Sequence, residues 1–217
     1  GSKRALLEKM QSTYTNYAGI GSAGRDGTGL VGTQGYLEGK DLSIRPWFAQ
    51  GRKGPYAGDV HDALLLSKLL PNPSGEMLYL LDVAAPIHDL QGRFAGVLCG
   101  HIHWRWTEDV LASLEGREGL EVFLIGPDNM ILAGPPELLR KPFRDIAANT
   151  EARLKNGEPK GFLVDQWNDG RSYLTGFAGS RGYLDFPGLG WRIMLRQNVD
   201  IAYAPALDNA WFGSQSV

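Results

Sequence analysis

The spacing of apolar residues changes period several times along the chain, and each change predicts an element. From Ala5-Leu6-Leu7 through Met10 to Tyr14 the apolar positions recur at helical spacing and lay one stripe along a helix reaching to about residue 17. Tyr17-Ala18-Gly19-Ile20-Gly21 then runs into the turn signal Arg25-Asp26-Gly27 and out through Leu30-Val31-Gly32-Thr33, which reads as a hairpin. Residues 77–86 and 93–104 form a second hairpin around His88-Asp89-Leu90-Gln91-Gly92. Between Thr107 and Leu114 the pattern turns helical, with Thr107 as N-cap and Glu108 and Asp109 in the first turn, where carboxylates are favoured.

The second half echoes the first. Val122-Phe123-Leu124-Ile125, the turn Gly126-Pro127-Asp128-Asn129 and Met130-Ile131-Leu132-Ala133 repeat the strand, Asp-containing turn and strand of residues 18–33. Strands follow over 161–167 and 171–178 about the turn Asn168-Asp169-Gly170, with a closing strand over 191–197 and Phe162 expected in the core. A repeat of roughly 100 residues suits two domains of ordinary size. The expected class is therefore α+β: a long N-terminal helix and two tandem units with antiparallel sheets.

Composition narrows what such a chain can do. With 217 residues, 43% hydrophobic, 21% charged and a formal net charge of −2, it is globular and has no basic stripe for a nucleic-acid backbone. Cys99, the single cysteine, forms no intrachain disulfide, and the four histidines lack structural-zinc spacing. Gly1-Ser2 reads as a tag-removal scar, so the chain is expected to be a fragment, and it carries no apolar run long enough for a signal peptide or membrane span. Gly19-Ile20-Gly21-Ser22-Ala23-Gly24 fits Gly-x-Gly-x-x-Gly, but Asp26-Gly27-Thr28-Gly29 stands where the phosphate-binding helix should begin. No nucleophile elbow, Walker loop or His-Glu-x-x-His occurs. Catalytic residues, cofactor and metal are accordingly all expected to be absent, and a metal held by His61, Asp62 and His101 is the weaker alternative.

The chemistry concentrates in Ser43-Ile44-Arg45-Pro46-Trp47-Phe48 and Tyr56-Ala57-Gly58-Asp59-Val60. Arg45 supplies a planar fork for a carboxylate, and Pro46 biases Arg45 toward extended backbone. Trp47 and Phe48 offer flat apolar walls, although both would also serve as core anchors and Arg45 as half of an ion pair. A turn near Leu90-Gln91 pairs Asp82 with Cys99 and Leu80 with His101, which puts Asp82, Cys99, His101 and His103 on one sheet face. That face can line a polar pocket, or its members can merely satisfy backbone groups. Trp167, Arg171 and Tyr173 are read as packing in the second half rather than as a second site.

Arg45-Pro46-Trp47-Phe48, Gly58-Asp59-Val60 and the run from Ala85 to Leu98 together resemble the double Cache domain of bacterial transmembrane receptors. Residues 62–71 and 82–86 are similar to sensor regions that precede diguanylate cyclase or histidine kinase outputs. The resemblance implies a helix over 1–17, a membrane-distal PAS-like unit over 18–105, a membrane-proximal one over 106–203 and an exit segment over 204–217. It further implies a non-enzymatic periplasmic sensor, membrane-anchored in the full-length protein and dimeric through the N-terminal helix. Its small, anionic ligand would sit in the distal unit. In the amino-acid-binding pattern of that family, Arg45 and Trp47 match, Phe48 replaces a tyrosine, Asp62 matches the middle aspartate, and His101 stands in place of the last one. The implied ligand-binding set is Arg45, Trp47, Phe48, His61, Asp62, Asp82 and His101. The alternative is a structural or dimerisation module with a vestigial pocket.

Overall fold

The computed structural model describes residues 2–63, 65–70, 78–114, 116–182, 186 and 188–204. The chain divides into two compact units, Gly1–Thr107 and Glu108–Val217, each built on one antiparallel sheet.

The first unit opens with helix α1 (Ser2–Thr13), shorter than the expected seventeen residues because strand β1 (Tyr17–Gly24) already starts at Tyr17. Leu7 is the buried anchor of the stripe, whereas Leu6 and Tyr14 face solvent. Gln11 Nε2 ties the helix end to β1 by donating to the carbonyls of Tyr17 and Ala18 at 3.1 and 2.9 Å. Strands β2 (Gly29–Gly32), β3 (Tyr56–Ala57), β4 (His61–Asp62), β5 (Tyr79–His88) and β6 (Phe94–His103) complete the sheet. Its order is β2-β1-β6-β5-β3, with β4 also paired to β5. Between β2 and β3 lies helix α2 (Pro46–Gly51), where the sequence reads as a loop; at six residues it is too short to show a period, and only proline at its first position marks it.

Two expectations in this unit are corrected. The β5–β6 register pairs Asp82 with His101, Ala84 with Cys99 and Leu80 with His103, two positions away from the sequence-based pairing. The turn centres on Gln91, closed by Asp89 N–H to Arg93 O at 2.9 Å, and a bulge between Ile87 and His88 adds a residue. A shift of two preserves the face, so Asp82, Cys99 and His101 still share one side. Helix α3 (Arg105–Ala112) starts before Thr107, whose N–H bonds to Trp104 O at 2.8 Å, so Thr107 lies inside the first turn and does not cap it. The β5–β6 ladder ends with Trp104 N–H on Tyr79 O, and the chain passes straight from there into the helix.

The second unit contains β7 (Leu120–Ile125), β8 (Ile131–Ala133), helix α4 (Ala148–Lys155), β9 (Lys160–Gln166), β10 (Ser172–Gly179) and β11 (Arg192–Asn198), in the sheet order β8-β7-β11-β10-β9. The strand order repeats that of the first unit, and so do the turn bonds. Gly24 N–H to Thr28 O (2.8 Å) and Gly27 N–H to Gly24 O (3.0 Å) recur as Gly126 N–H to Met130 O (2.9 Å) and Asn129 N–H to Gly126 O (3.0 Å). In each turn an aspartate holds the amide two residues on, Asp26 that of Thr28 and Asp128 that of Met130. Leu42 N–H reaches back to Gly27 O as Phe143 N–H does to Asn129 O, and a helix follows shortly after each.

Gly27 (φ 87°) and Asn129 (φ 69°) thus occupy the same left-handed position. A Cβ at Gly27, however, would lie 2.6 Å from Ser43 Cα. Gly27→Ala is therefore expected to lower stability by about 1–3 kcal/mol, checked by urea denaturation, even though an L-residue is tolerated at the equivalent Asn129.

Phe162, expected in the core, is 76% exposed. The edge strand β9 turns Asp165 inward, where it accepts from Thr150 N–H (2.9 Å), Thr150 Oγ1 (2.7 Å) and Asn149 Nδ2 (2.8 Å) and so satisfies the first turn of α4. With period two, that choice sends Phe162 and Val164 to the other face.

Candidate functional site

Arg45 is the N-cap residue of α2, extended at φ −72° and ψ 135°, and Pro46 at the first helical position holds it there. The next two side chains diverge. Trp47 lines a cavity of about 290 Å³, while Phe48 packs with Leu42, Ala84, Val97 and Cys99 in the core. Arg45, Trp47, His61, Asp62, Asp82 and His101 all line that one cavity. Phe48 does not: its ring lies edge-on to Trp47 at 6.0 Å, and its place is behind the wall.

The cavity floor is the inward face of β5 and β6. His101 Nδ1 lies 2.6 Å from Asp82 Oδ1, with both side chains buried, and the Trp47 ring stands edge-on to the imidazole at 6.1 Å. A neutral His101 that donates from Nδ1 leaves Nε2 as an acceptor. The other oxygen of Asp82 is 3.4 Å from Nε2 of His61, whose side chain is 45% exposed, so the carboxylate bridges the floor and an exposed imidazole. His61 is positioned by its strand pairing with Leu80 and by Nδ1 lying 3.1 Å from Asp59 O. His103, on the same face, is outside the lining, and burial pushes its pKa down.

Sequence reasoning passed over Tyr56 and Asp59, which also line the cavity, although both stand in the singled-out stretch. Burial, and then the nearby Asp82, raise the Tyr56 pKa. Gly58 makes room for this phenol, since a Cβ there would meet Tyr56 Oη at 2.9 Å, and its N–H bonds to Asp82 O at 2.7 Å. Three carboxylates (Asp59, Asp62, Asp82) therefore share the lining with one guanidinium. Leu42, Leu66 and Leu80 supply apolar surface, so the cavity can enclose a small molecule that has both charged and apolar parts.

No family model and no curated protein matches the sequence. Solved structures do match in fold. An extracellular ligand-binding receptor from Desulfohalobium retbaense superposes with a TM-score of 0.65 at 15% identity over 90% of this chain. The ligand-binding domain of the Pseudomonas aeruginosa amino-acid chemoreceptor PctB, in complex with L-Arg, gives 0.64 at 21% identity over 94% of this chain and 80% of its own. That of the Pseudomonas fluorescens chemoreceptor CtaA, in complex with L-serine, gives 0.59 at 19% over 91% and 79%. The fold is the double Cache fold. The chain spans 33% of the length of the Desulfohalobium receptor.

Within this double Cache fold, the second unit fills the positions that form the cavity in the first. Ala23 pairs with Val97 and Gly19 with His101; the duplicated turn makes Ile125–Arg192 and Glu121–Arg196 the matching pairs, so Arg196 occupies the place of His101. Thr175, opposite Arg196, matches Asp82, and Ala147, the N-cap residue of α4, matches Arg45. The Arg196 guanidinium is stacked 4.3 Å from both the Trp167 and Tyr173 ring centres and paired with Glu121, while Trp167 Nε1 donates to Thr175 Oγ1 at 3.2 Å. Trp167 and Tyr173 are thus packing residues, as expected. Arg196→Ala is expected to cost roughly 2–4 kcal/mol of stability, from the lost cation–π stacking and charged hydrogen bond, as measured by chemical denaturation.

Proposed function

We propose that this chain is an extracytoplasmic sensor domain whose first unit binds a small, carboxylate-bearing molecule. The observation that carries the reading is one cavity lined by groups of opposite charge preference: the guanidinium of Arg45 on one element, and the buried Asp82–His101 pair on others. Arg45 suits a carboxylate because its fork makes two parallel hydrogen bonds. Although His101 replaces an acidic residue of the amino-acid-binding pattern, the 2.6 Å contact puts the Asp82 charge directly beside it. With Asp59 and Asp62, that charge favours a ligand carrying a donor or a cation besides its carboxylate. L-serine, L-Arg, GABA and asparagine, bound by four proteins of the same fold, each join a carboxylate to an amino group.

In this reading the parent protein is a bacterial receptor anchored in the inner membrane. The ordinary shift between unliganded and liganded conformations would pass to a cytoplasmic diguanylate cyclase or histidine kinase, in a dimer assembled through α1. No helix among the described residues is long and apolar enough to cross a membrane, so the anchor is assigned to segments flanking this domain. Leu6 and Tyr14, exposed on α1, provide apolar surface for the dimer.

The test is a thermal-shift screen of organic acids, amino acids and amines. A ligand at a hundred times its dissociation constant stabilises the native state by about 2.7 kcal/mol. Stabilisation by carboxylates that carry an amine, and not by the matching carboxamides, supports the reading. A screen in which no carboxylate stabilises the domain argues for the vestigial-pocket alternative.

A further inference from the structure

We infer that the floor of the cavity in the first unit is a binding site for one zinc-like divalent cation, held by Cys99, His101 and Asp82. One donor atom from each of these three buried residues, a sulfur, a ring nitrogen and a carboxylate oxygen, lies within 4.8 Å of the others. Cys99 Sγ is 4.0 Å from Nδ1 of His101, and that nitrogen is 2.6 Å from Asp82 Oδ1. Hydrogen bonding leaves the thiol with little: its ring contacts, at 4.0 and 3.8 Å, are at the limit for sulfur.

The three donors come from neighbouring strands held in unbroken register from the Leu80–His103 pair to the Ile87–Gly96 pair, so the cluster is set by the sheet and not by a loop. A mixed sulfur, imidazole and carboxylate set suits Zn(II) or Co(II) and disfavours Mg²⁺ and Ca²⁺, which take oxygen ligands. Thiolate and carboxylate together balance a double positive charge, which matters where all three residues are buried. Three protein donors leave a fourth position, and Asp82 and His101 both line the cavity, so water or a bound ligand can complete the tetrahedron from that side.

Binding changes protonation in a defined way. The thiol proton leaves to solvent as the metal–sulfur bond forms, and the imidazole proton passes from Nδ1 to Nε2 as Nδ1 takes the metal. One proton is thus released for each ion bound, and affinity rises with pH. Burial and the neighbouring Asp82 charge push the Cys99 pKa well up.

The inferred site shares Asp82 and His101 with the proposed ligand cavity and is tested without an organic ligand. Tag-free, chelator-stripped protein is titrated with cobalt(II). The expected result is one ion per chain with sulfur-to-cobalt charge-transfer absorption, lost in Cys99→Ser and in His101→Gln and retained in the exposed-site control His88→Gln. Absence of charge-transfer absorption at saturating cobalt overturns the proposal, as does binding that survives His101→Gln. Should a variant fail to fold, X-ray absorption of the zinc-loaded wild type decides alone. A single sulfur in the zinc shell supports the site; a shell of nitrogen and oxygen only overturns it.

Discussion

Trp167→Ala is expected to destabilise the second unit by about 3–5 kcal/mol, among the largest effects any single substitution in this chain should have. The indole is 2% exposed and packs against Phe123, Phe143 and Tyr173 with centroid distances of 5.3 to 5.7 Å. It also forms one face of the stack on Arg196 and donates to Thr175. Its removal leaves a cavity, an unpaired hydroxyl in the core and a guanidinium short of one ring, and these costs act together. Phe162→Ala, by contrast, should change stability by no more than about 0.5 kcal/mol, because the ring lies on the solvent side of an edge strand. Urea denaturation of the two variants gives the comparison. Similar losses in both would show that the outer face of β9 is covered in solution.

That contrast locates the limit of what the sequence made legible. The longer strands of both units, the Asp-containing turns and the tandem repeat could be read because period-two alternation and turn residues are local signals, whereas the two-residue strands β3 and β4 are too short to show any period. Which face of β9 points inward was not local. It is decided by Asp165, a polar residue whose inward position makes sense only once Thr150 and the start of α4 are known to lie beneath it. The β5–β6 hairpin shows the complementary case. Its pairing was misplaced by two residues, yet the site survived, because an even shift keeps Asp82, Cys99 and His101 on one side. Six of the seven candidate ligand residues line one cavity, and the seventh, Phe48, adjoins Trp47 in the chain but sits behind it on a helix too short to be seen in the sequence. Tyr56 and Asp59 escaped selection because nothing in a lone Tyr or Asp signals that Gly58, between them in the chain, leaves space for the phenol.

Arg45→Ala is expected to remove the stabilisation that a carboxylate ligand confers, weakening its binding by about 2–5 kcal/mol, while leaving the unliganded midpoint nearly unchanged. The two halves of the expectation rest on different observations. Arg45 is half-buried at the cavity wall, and among the described residues no ion pair holds it, so the fold loses little when its side chain is truncated. Its backbone is held extended by Pro46, so the guanidinium is offered from a fixed origin and the loss of its charge is not made good by a neighbour. Arg45→Lys separates charge from geometry: a point ammonium keeps the long-range attraction but cannot make two parallel bonds, and should recover only part of the affinity. Asp82→Asn provides the complementary control, since it removes the negative charge beside His101 while leaving Arg45 in place, and it should weaken ligands with an amine more than those without one. Titration calorimetry of the three variants against one carboxylate with an amine and one without reads out the contributions of Arg45 and Asp82 separately. A carboxylate that binds Arg45→Ala as tightly as the wild type would place the anion elsewhere in the unit and remove the central support for the proposed orientation.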